Sequence, residues 1–285
     1  MSKETREPFA QPSHSEGAVL LELRSWIQQF EGLTAGFTTR LGGVSQAPFA
    51  TLNLAMHVQD DPTTVEANRR LVSEAIQMPF EGWTCAEQVH GHHVHVVTAD
   101  ERGRGRTSRE DAIPDADALI TQHANICLTS FYADCVPLLF VDPTTRTIGL
   151  AHAGWKGTAE QIAVRVVERM QAEFHCKPEH IHAAIGPSIS KCCYEVDKRV
   201  ITPMEVLLEK LPMEARHGLE YRDNGRAMID LREINRQLLL KAGILPTHIE
   251  CTTWCTGCHT DLFYSHRAEG GKTGRMASWI GWKKG

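Results

Sequence analysis

The chain has 285 residues, a net charge of −5, and ordinary fractions of hydrophobic (42%) and charged (23%) residues. This composition fits a globular protein with room for a sizeable core and carries no bulk basic signal for nucleic acid. No run nears the roughly 18 apolar residues a membrane span needs, and the polar start at Met1–Glu7 lacks the core of a signal peptide, so a cytoplasmic protein is expected.

In chain order, residues 1–16 are polar and aperiodic and are expected to form a flexible tail, with residues 17–285 as one catalytic domain. Val19 to Phe30 is apolar enough to pair with the body. Ala35–Thr39 reads as a strand, followed by a turn at Arg40-Leu41-Gly42-Gly43-Val44, where the glycine pair permits close approach of a ligand. Asp61-Pro62 reads as an N-cap and first helical position, with helical spacing kept to about Met78. Trp83–Val89 and His93–Val97 read as strands, and Glu101–Asp111 as a charged surface loop. Ala116–Thr121 and Ile126–Tyr132 are short strands leading to two apolar runs, Tyr132–Asp142 and Ile148–Gly157, that read as buried strands. A helix is expected over Thr158–Phe174, a strand over Ile181–Ile185, partial helix over Val200–Leu211, and a helix over Asp230–Ala242 that stops at Gly243. Ile249–Cys255, Leu262–Ser265 and Met276–Trp282 close the chain as strands. Helices and strands interleave without regular alternation, which predicts an α+β fold of mixed, layered sheets flanked by helices.

The two apolar runs place Cys135 at the start of one and His152 near the end of the other. With His90 of Glu87-Gln88-Val89-His90-Gly91, they make a Cys and two His with an open fourth position, a catalytic zinc pattern. The bland reading is a small core cysteine and two satisfied structural histidines. Asp134 faces away from Cys135 on extended backbone, but at a strand end it turns into the site, where it reads as a proton carrier or a turn residue. Arg40, Asn53, Lys156 and Arg267 are candidate holders of an anionic substrate, against a plain reading as surface groups.

The motifs Thr39-Arg40-Leu41-Gly42-Gly43-Val44-Ser45, Leu52-Asn53-Leu54, Glu87–Gly91, Ala133-Asp134-Cys135, His152-Ala153-Gly154-Trp155-Lys156-Gly157 and Thr273–Ser278 resemble the YfiH/YlmD family, formerly called polyphenol oxidase (laccase domain). The resemblance runs from about Ala35 to the C-terminus. It implies layered sheets flanked by helices and a Zn2+ site whose ligands fall on His90, Cys135 and His152. It also implies phosphorolysis of the purine nucleosides adenosine, inosine and S-methyl-5′-thioadenosine, with phosphate as co-substrate, and deamination of adenosine. Arg40 matches the family motif; Lys156 and Tyr132 stand where relatives carry Arg and Thr. The oligomeric state is left open, a monomer being compatible.

Several competing readings attach to other strings. Cys255-Thr256-Gly257-Cys258-His259 has the form of a haem attachment string, a redox pair or a metal knuckle with Cys251 nearby, and Cys192-Cys193 reads as inert packing. His90/His92, His93/His95 and His180/His182 suggest copper. A multicopper oxidase, however, needs four such pairs including His-Cys-His, which is absent. A metal-free hydrolase with Cys135 as nucleophile and His152 as base is a further enzyme reading. Gly270-Gly271-Lys272-Thr273 lacks the first glycine of a phosphate loop. The His-x-Glu…Pro-Cys-x-x-Cys deaminase signature and the Gly-x-Ser-x-Gly elbow are also missing.

Overall fold

The computed structural model describes residues 7–10 and 17–284. In chain order the strands are β1 (Phe9–Ala10), β2 (Leu20–Leu23), β3 (Leu33–Thr38), β4 (Trp83–Cys85), β5 (Val94–Val96), β6 (Ala118–Thr121), β7 (Cys127–Tyr132), β8 (Val136–Asp142), β9 (Thr147–Ala153), β10 (His182–Ile185), β11 (Glu195–Val196), β12 (Leu219–Tyr221), β13 (Ala227–Ile229), β14 (Ile249–Cys251) and β15 (Met276–Trp282). The α-helices are α1 (Arg24–Gln29), α2 (Pro62–Ala75), α3 (Trp155–Ala159), α4 (Ile162–Phe174), α5 (Lys198–Leu208) and α6 (Leu231–Lys241).

Two six-stranded mixed sheets run in the orders β1-β2-β3-β15-β7-β4 and β14-β10-β8-β9-β6-β5, and a small sheet runs β11-β13-β12. The expected α+β layering is present. Alternate residues of β8 show how the layers assemble. Leu139 and Val141 pack with Phe37, Leu128 and Ile280 between the two large sheets. Val136, Leu138 and Phe140 face the other way, onto Val166 and Met170 of α4 and Leu238 of α6. The first sheet's outer face is covered by α2, with Val72 and Ile76 against Trp83 and Trp279. A strand covered on both faces needs apolar residues at every position, which is why Val136–Val141 reads as an unbroken apolar run. Slipping β8 by one residue would exchange its two faces, so its register with β9 also fixes where Cys135 and His152 meet.

Asp61 caps α2 by accepting from the Thr64 amide at 2.8 Å, with Pro62 in the first turn, and Asp230 caps α6 through the Arg232 and Glu233 amides. Other expectations are corrected. Part of the expected tail is tied down: Phe9–Ala10 pairs with Glu22 and Leu23, Phe9 is fully buried, and Glu7 accepts from Thr252 and Thr253. The remainder of residues 1–16 lies outside the described residues. The helix expected over Thr158–Phe174 is two helices, because Gln161 at φ 61° breaks the turn between α3 and α4. Strand pairing after Trp83 stops early so that the chain can turn toward His90. Leu262–Ser265 is not a strand, and Ile249–Cys255 is one only to Cys251. The β11-β13-β12 sheet was not anticipated; its strands are of two or three residues, too short for a periodic signal. Among the described residues, no helix is long and apolar enough to cross a membrane.

Candidate metal centre

One carboxylate organises the site. Asp117, 3% exposed and immediately before β6, accepts from the amides of Val89 (3.2 Å), His90 (3.0 Å) and Gly91 (2.6 Å). These charge-assisted bonds hold His90 at φ 59°, a backbone region that side chains other than Gly rarely adopt. Gln88 locks the same segment to β7 by exchanging hydrogen bonds with the Phe131 backbone at 2.9 and 2.8 Å. Asp117 also accepts from Nδ1 of buried His152 at 2.8 Å. A histidine whose Nδ1–H is engaged in this way offers Nε2 as its lone pair.

Cys135 enters from the turn between β7 and β8, where Asp134 sits at φ 90°. His152 lies directly opposite Pro137 in the β8–β9 ladder, and Cys135, two residues before Pro137, shares its face. The candidate ligand atoms of His90, Cys135 and His152 all lie within 4.8 Å of one another. Gly154 leaves them room. A Cβ there would stand 3.2 Å from both Cys135 Sγ and His90 Nδ1, although the residue's φ of −69° would suit any side chain.

Burial alone would raise the Cys135 pKa and lower that of His152. Their mutual attraction reverses both effects, aided by His90 for the thiol and by Asp117 for the imidazole. Cys135 is drawn down and His152 up. Burial also works against Asp117, but the bonds from His152, Gly91 and Val89 keep its carboxyl below the usual range. This thiolate–imidazolium pair is what a divalent ion would displace a proton from.

The three residues open on a cavity of about 530 Å³, a size suited to a small organic substrate. Of the residues expected to act there, Asp134 and Arg267 line it. Asp134 accepts from Thr256 Oγ1 and from the Arg267 amide, both at 2.7 Å. The Arg267 guanidinium donates to the Glu195 carbonyl at 2.6 Å and lies over Tyr194.

Arg40, Asn53 and Lys156, expected to hold substrate, are not among the residues that line this cavity. Arg40 is committed to the Ala50 and Thr260 carbonyls and to Glu269, over the Tyr264 ring. The Gly42–Gly43 turn beside it admits the chain's own backbone rather than a ligand: a Cβ at Gly43 would stand 2.4 Å from the Thr51 carbonyl. Asn53 is fully buried and bonds Ala55, Asp60 and the Arg275 amide. Lys156 is exposed on α3.

The cavity's cations include two residues that sequence reasoning missed, Arg69 and Arg275. Arg69 is held by the carbonyls of Leu54, Gly105 and Arg106 at 2.8 Å each, and Arg275 by those of Thr273 and Gly274. Carbonyls orient a guanidinium without neutralising it, so both charges remain for an anion. Arg69 was hidden because its helical spacing reads as core, and it is core: 2% exposed. Arg109, also on the wall, pairs with Glu87 at 2.7 Å. The ring of His57 keeps solvent access at the mouth. Even so, the enclosing walls, then Arg275, Arg109 and Arg69, push its pKa down to about 4.

Residues 34–283 match the family described as multi-copper polyphenol oxidoreductase laccase. The chain is 44% identical over 264 residues to the purine nucleoside phosphorylase YlmD of Geobacillus stearothermophilus, spanning 91% of this chain and 95% of that one. It is 38% identical over 283 residues to the purine nucleoside phosphorylase YlmD of Bacillus subtilis, spanning 98% and 99%. The crystal structure of YlmD from Geobacillus stearothermophilus aligns with a TM-score of 0.91 at 42% identity, over 98% of this chain and 100% of that one. The match takes in β3 to β15 and every segment that brings a side chain to the cavity: the chain belongs to this laccase-like family, that of YlmD and YfiH.

Proposed function

We propose that the chain is a zinc-dependent purine nucleoside phosphorylase acting on adenosine, inosine and S-methyl-5′-thioadenosine, with adenosine deaminase activity at the same site. The observation that carries this reading is the meeting of His90, Cys135 and His152 on the floor of a cavity whose wall presents Arg69 and Arg275. The names of the relatives support the substrate class. A thiolate and two imidazoles suit zinc, and three protein ligands leave a position open to the cavity. The same donor set occurs in copper electron-transfer centres, but those are closed by a further axial ligand; the open cavity favours Lewis-acid chemistry. When bound, the zinc would supply that Lewis acidity beside the reacting atoms.

The residues around it have separable tasks. Arg69, Arg275 and Arg267 hold phosphate by charge, all three fixed in advance by backbone carbonyls. Phe131 and Tyr194 on the wall offer aromatic surface to a purine. Asp134 is the carboxylate placed to carry a proton to or from the base, and it also fixes the Arg267 backbone. None of the nine cysteines is in a disulfide, in keeping with a reducing, cytoplasmic setting.

The test is a product scan. Wild type and His90→Ala are incubated with adenosine and phosphate, and adenine, inosine and hypoxanthine are separated by chromatography. Adenine formed only by wild type and only with phosphate is the expected result; inosine reports deamination. No product from zinc-loaded wild type would overturn the reading. The paired charges of Cys135 and His152 favour one second reading, a metal-free hydrolase with Cys135 as nucleophile. It requires Cys135 to alkylate as quickly with zinc as without it.

A further inference from the structure

A second group of potential ligands lies outside the cavity. Cys192, Cys193, Cys255 and Cys258 bring their four sulfurs within 4.8 Å of one another. Cys192 Sγ is 3.4 Å from Cys258 Sγ and 3.7 Å from the sulfurs of both Cys193 and Cys255; Cys193 Sγ is 3.4 Å from Cys258 Sγ. These separations discriminate between the states of four thiols. A disulfide brings two sulfurs to about 2.05 Å, and no pair here is bonded. A zinc–sulfur bond of about 2.3 Å sets the corners of a ZnS4 tetrahedron roughly 3.8 Å apart. Two of the edges, at 3.7 Å, fall near that value and two, at 3.4 Å, lie a few tenths of an ångström inside it.

We propose that Cys192, Cys193, Cys255 and Cys258 form a second, tetrathiolate Zn2+ site that clamps together the two loops behind the cavity wall. Cys255-Thr256-Gly257-Cys258 has the two-residue spacing of a zinc knuckle. The Ser190 amide donates to Cys255 Sγ at 3.3 Å, the N–H···S bond that stabilises a bound thiolate. Gly257 lets the loops close: a Cβ there would stand 2.8 Å from Cys193 Cβ and 3.2 Å from its Sγ. The expectation that Cys192-Cys193 is inert packing is thereby replaced, since Cys192 and Cys258 are exposed. Four thiols at this spacing resist ionising together. A divalent cation removes that conflict by displacing the protons.

The clamp acts on the first site through the backbone. Ser188 bridges to Cys255, the Ile189 amide donates to the Asp134 carbonyl at 2.9 Å, and Thr256 Oγ1 donates to the Asp134 carboxylate at 2.7 Å. Ile189 and Tyr194, on either side of Cys192-Cys193, line the cavity. The ion is structural, because all four of its positions are filled by sulfur.

The experiment counts metal in full-length protein purified under reducing conditions with Zn2+. Wild type should hold two equivalents, and His90→Ala and Cys258→Ser one each. Refilled with Co2+, wild type and His90→Ala should show the strong sulfur-to-cobalt charge-transfer band of a tetrathiolate, and Cys258→Ser should keep only the weaker band of the single Cys135 thiolate. Alkylation of unmutated protein, mapped by peptide mass spectrometry, guards against a misfolded variant: Cys192 and Cys258 should resist iodoacetamide until a chelator is added. Folded Cys258→Ser with undiminished zinc would overturn the proposal. So would equal alkylation with and without chelator, or a disulfide among these four residues. Wild type with a single zinc, lost in His90→Ala, would sink this site and leave the cavity site standing; a single zinc lost only in Cys258→Ser would do the reverse.

Discussion

Two pairs of histidines sit close together in this fold, and their electrostatics run in opposite directions. His90 and His152 meet edge to face with ring centres 4.7 Å apart; His182 and His248 stack at 3.9 Å with their planes 15° apart. Burial lowers the pKa of His152, but Cys135 and Asp117 reverse this and raise it to about 9. His182 is lowered to about 4 by burial and then by His248, which Asp142 only partly offsets. Proximity of imidazoles is therefore not what marks a site. The mark is an acid behind the ring, an anionic sulfur beside it and open space in front. His180 and His182 share the His-x-His spacing of His90 and His92, yet His182 has neither a hydrogen-bonded carboxylate nor a thiol among the groups that act on it.

The largest effect that separates the pairs is on turnover. His152→Ala should lower nucleoside turnover roughly a thousandfold or more, as removing a member of an interdependent catalytic unit does, and should lose one zinc. His182→Ala should leave turnover within about twofold, because it touches nothing at the cavity. Equal losses in both variants would dissolve the distinction. Next comes the acid behind the ring. Asp117→Asn keeps the shape but replaces one carboxylate oxygen by an NH2 donor, so it cannot accept from both the His152 Nδ1–H and the Val89 and Gly91 amides, and the tautomer that frees Nε2 loses its charged partner. Zinc affinity, measured by competition with a chelator, should fall on the order of 10- to 100-fold. An unchanged affinity would show that Asp117 serves only the loop of His90.

That Cys135 and His152 approach each other was legible in the sequence because both sit at strand ends. Apolar runs mark strands, a strand end is a defined place, and Cys135 and His152 occupy adjoining ones. The loop that delivers His90 was legible only as a motif. Its conformation depends on Asp117 and on Gln88 reaching the Phe131 backbone, contacts across dozens of residues that no local period records. Arginines were least legible, since charge alone does not say whether a guanidinium faces a cavity or holds a turn. Arg40 and Arg275 make that difference measurable. Arg275→Ala should raise the phosphate KM roughly 10- to 100-fold, one charge-assisted anion contact being worth about 1.5–3 kcal/mol. Arg40→Ala should leave that KM unchanged while lowering stability by about 1–3 kcal/mol, through its lost bonds to Ala50, Thr260 and Glu269. If Arg40→Ala raises the phosphate KM, its placement outside the cavity wall is wrong.

The smallest effect falls on the stacked pair and is read in stability rather than turnover. An unfolded histidine titrates near 6.5, and folded His182 near 4. The fold thus disfavours only the charged form. The neutral ring's contribution is fully present above pH 6.5 and is lost as pH falls toward about 4, where the unfolded chain binds a proton that the folded chain refuses. His182→Phe keeps a flat ring between Phe30 and His248 and removes the titration. Thermal melts of wild type and variant from pH 7 to pH 4 should diverge, the wild type losing melting temperature more steeply. Any metal that acid would strip from the proposed sites would be lost from both proteins alike, so the difference between the two curves isolates the stack. Parallel curves would mean that His182 protonates in the fold without cost, and that the contrast between the two pairs rests on Asp117 and Cys135 alone.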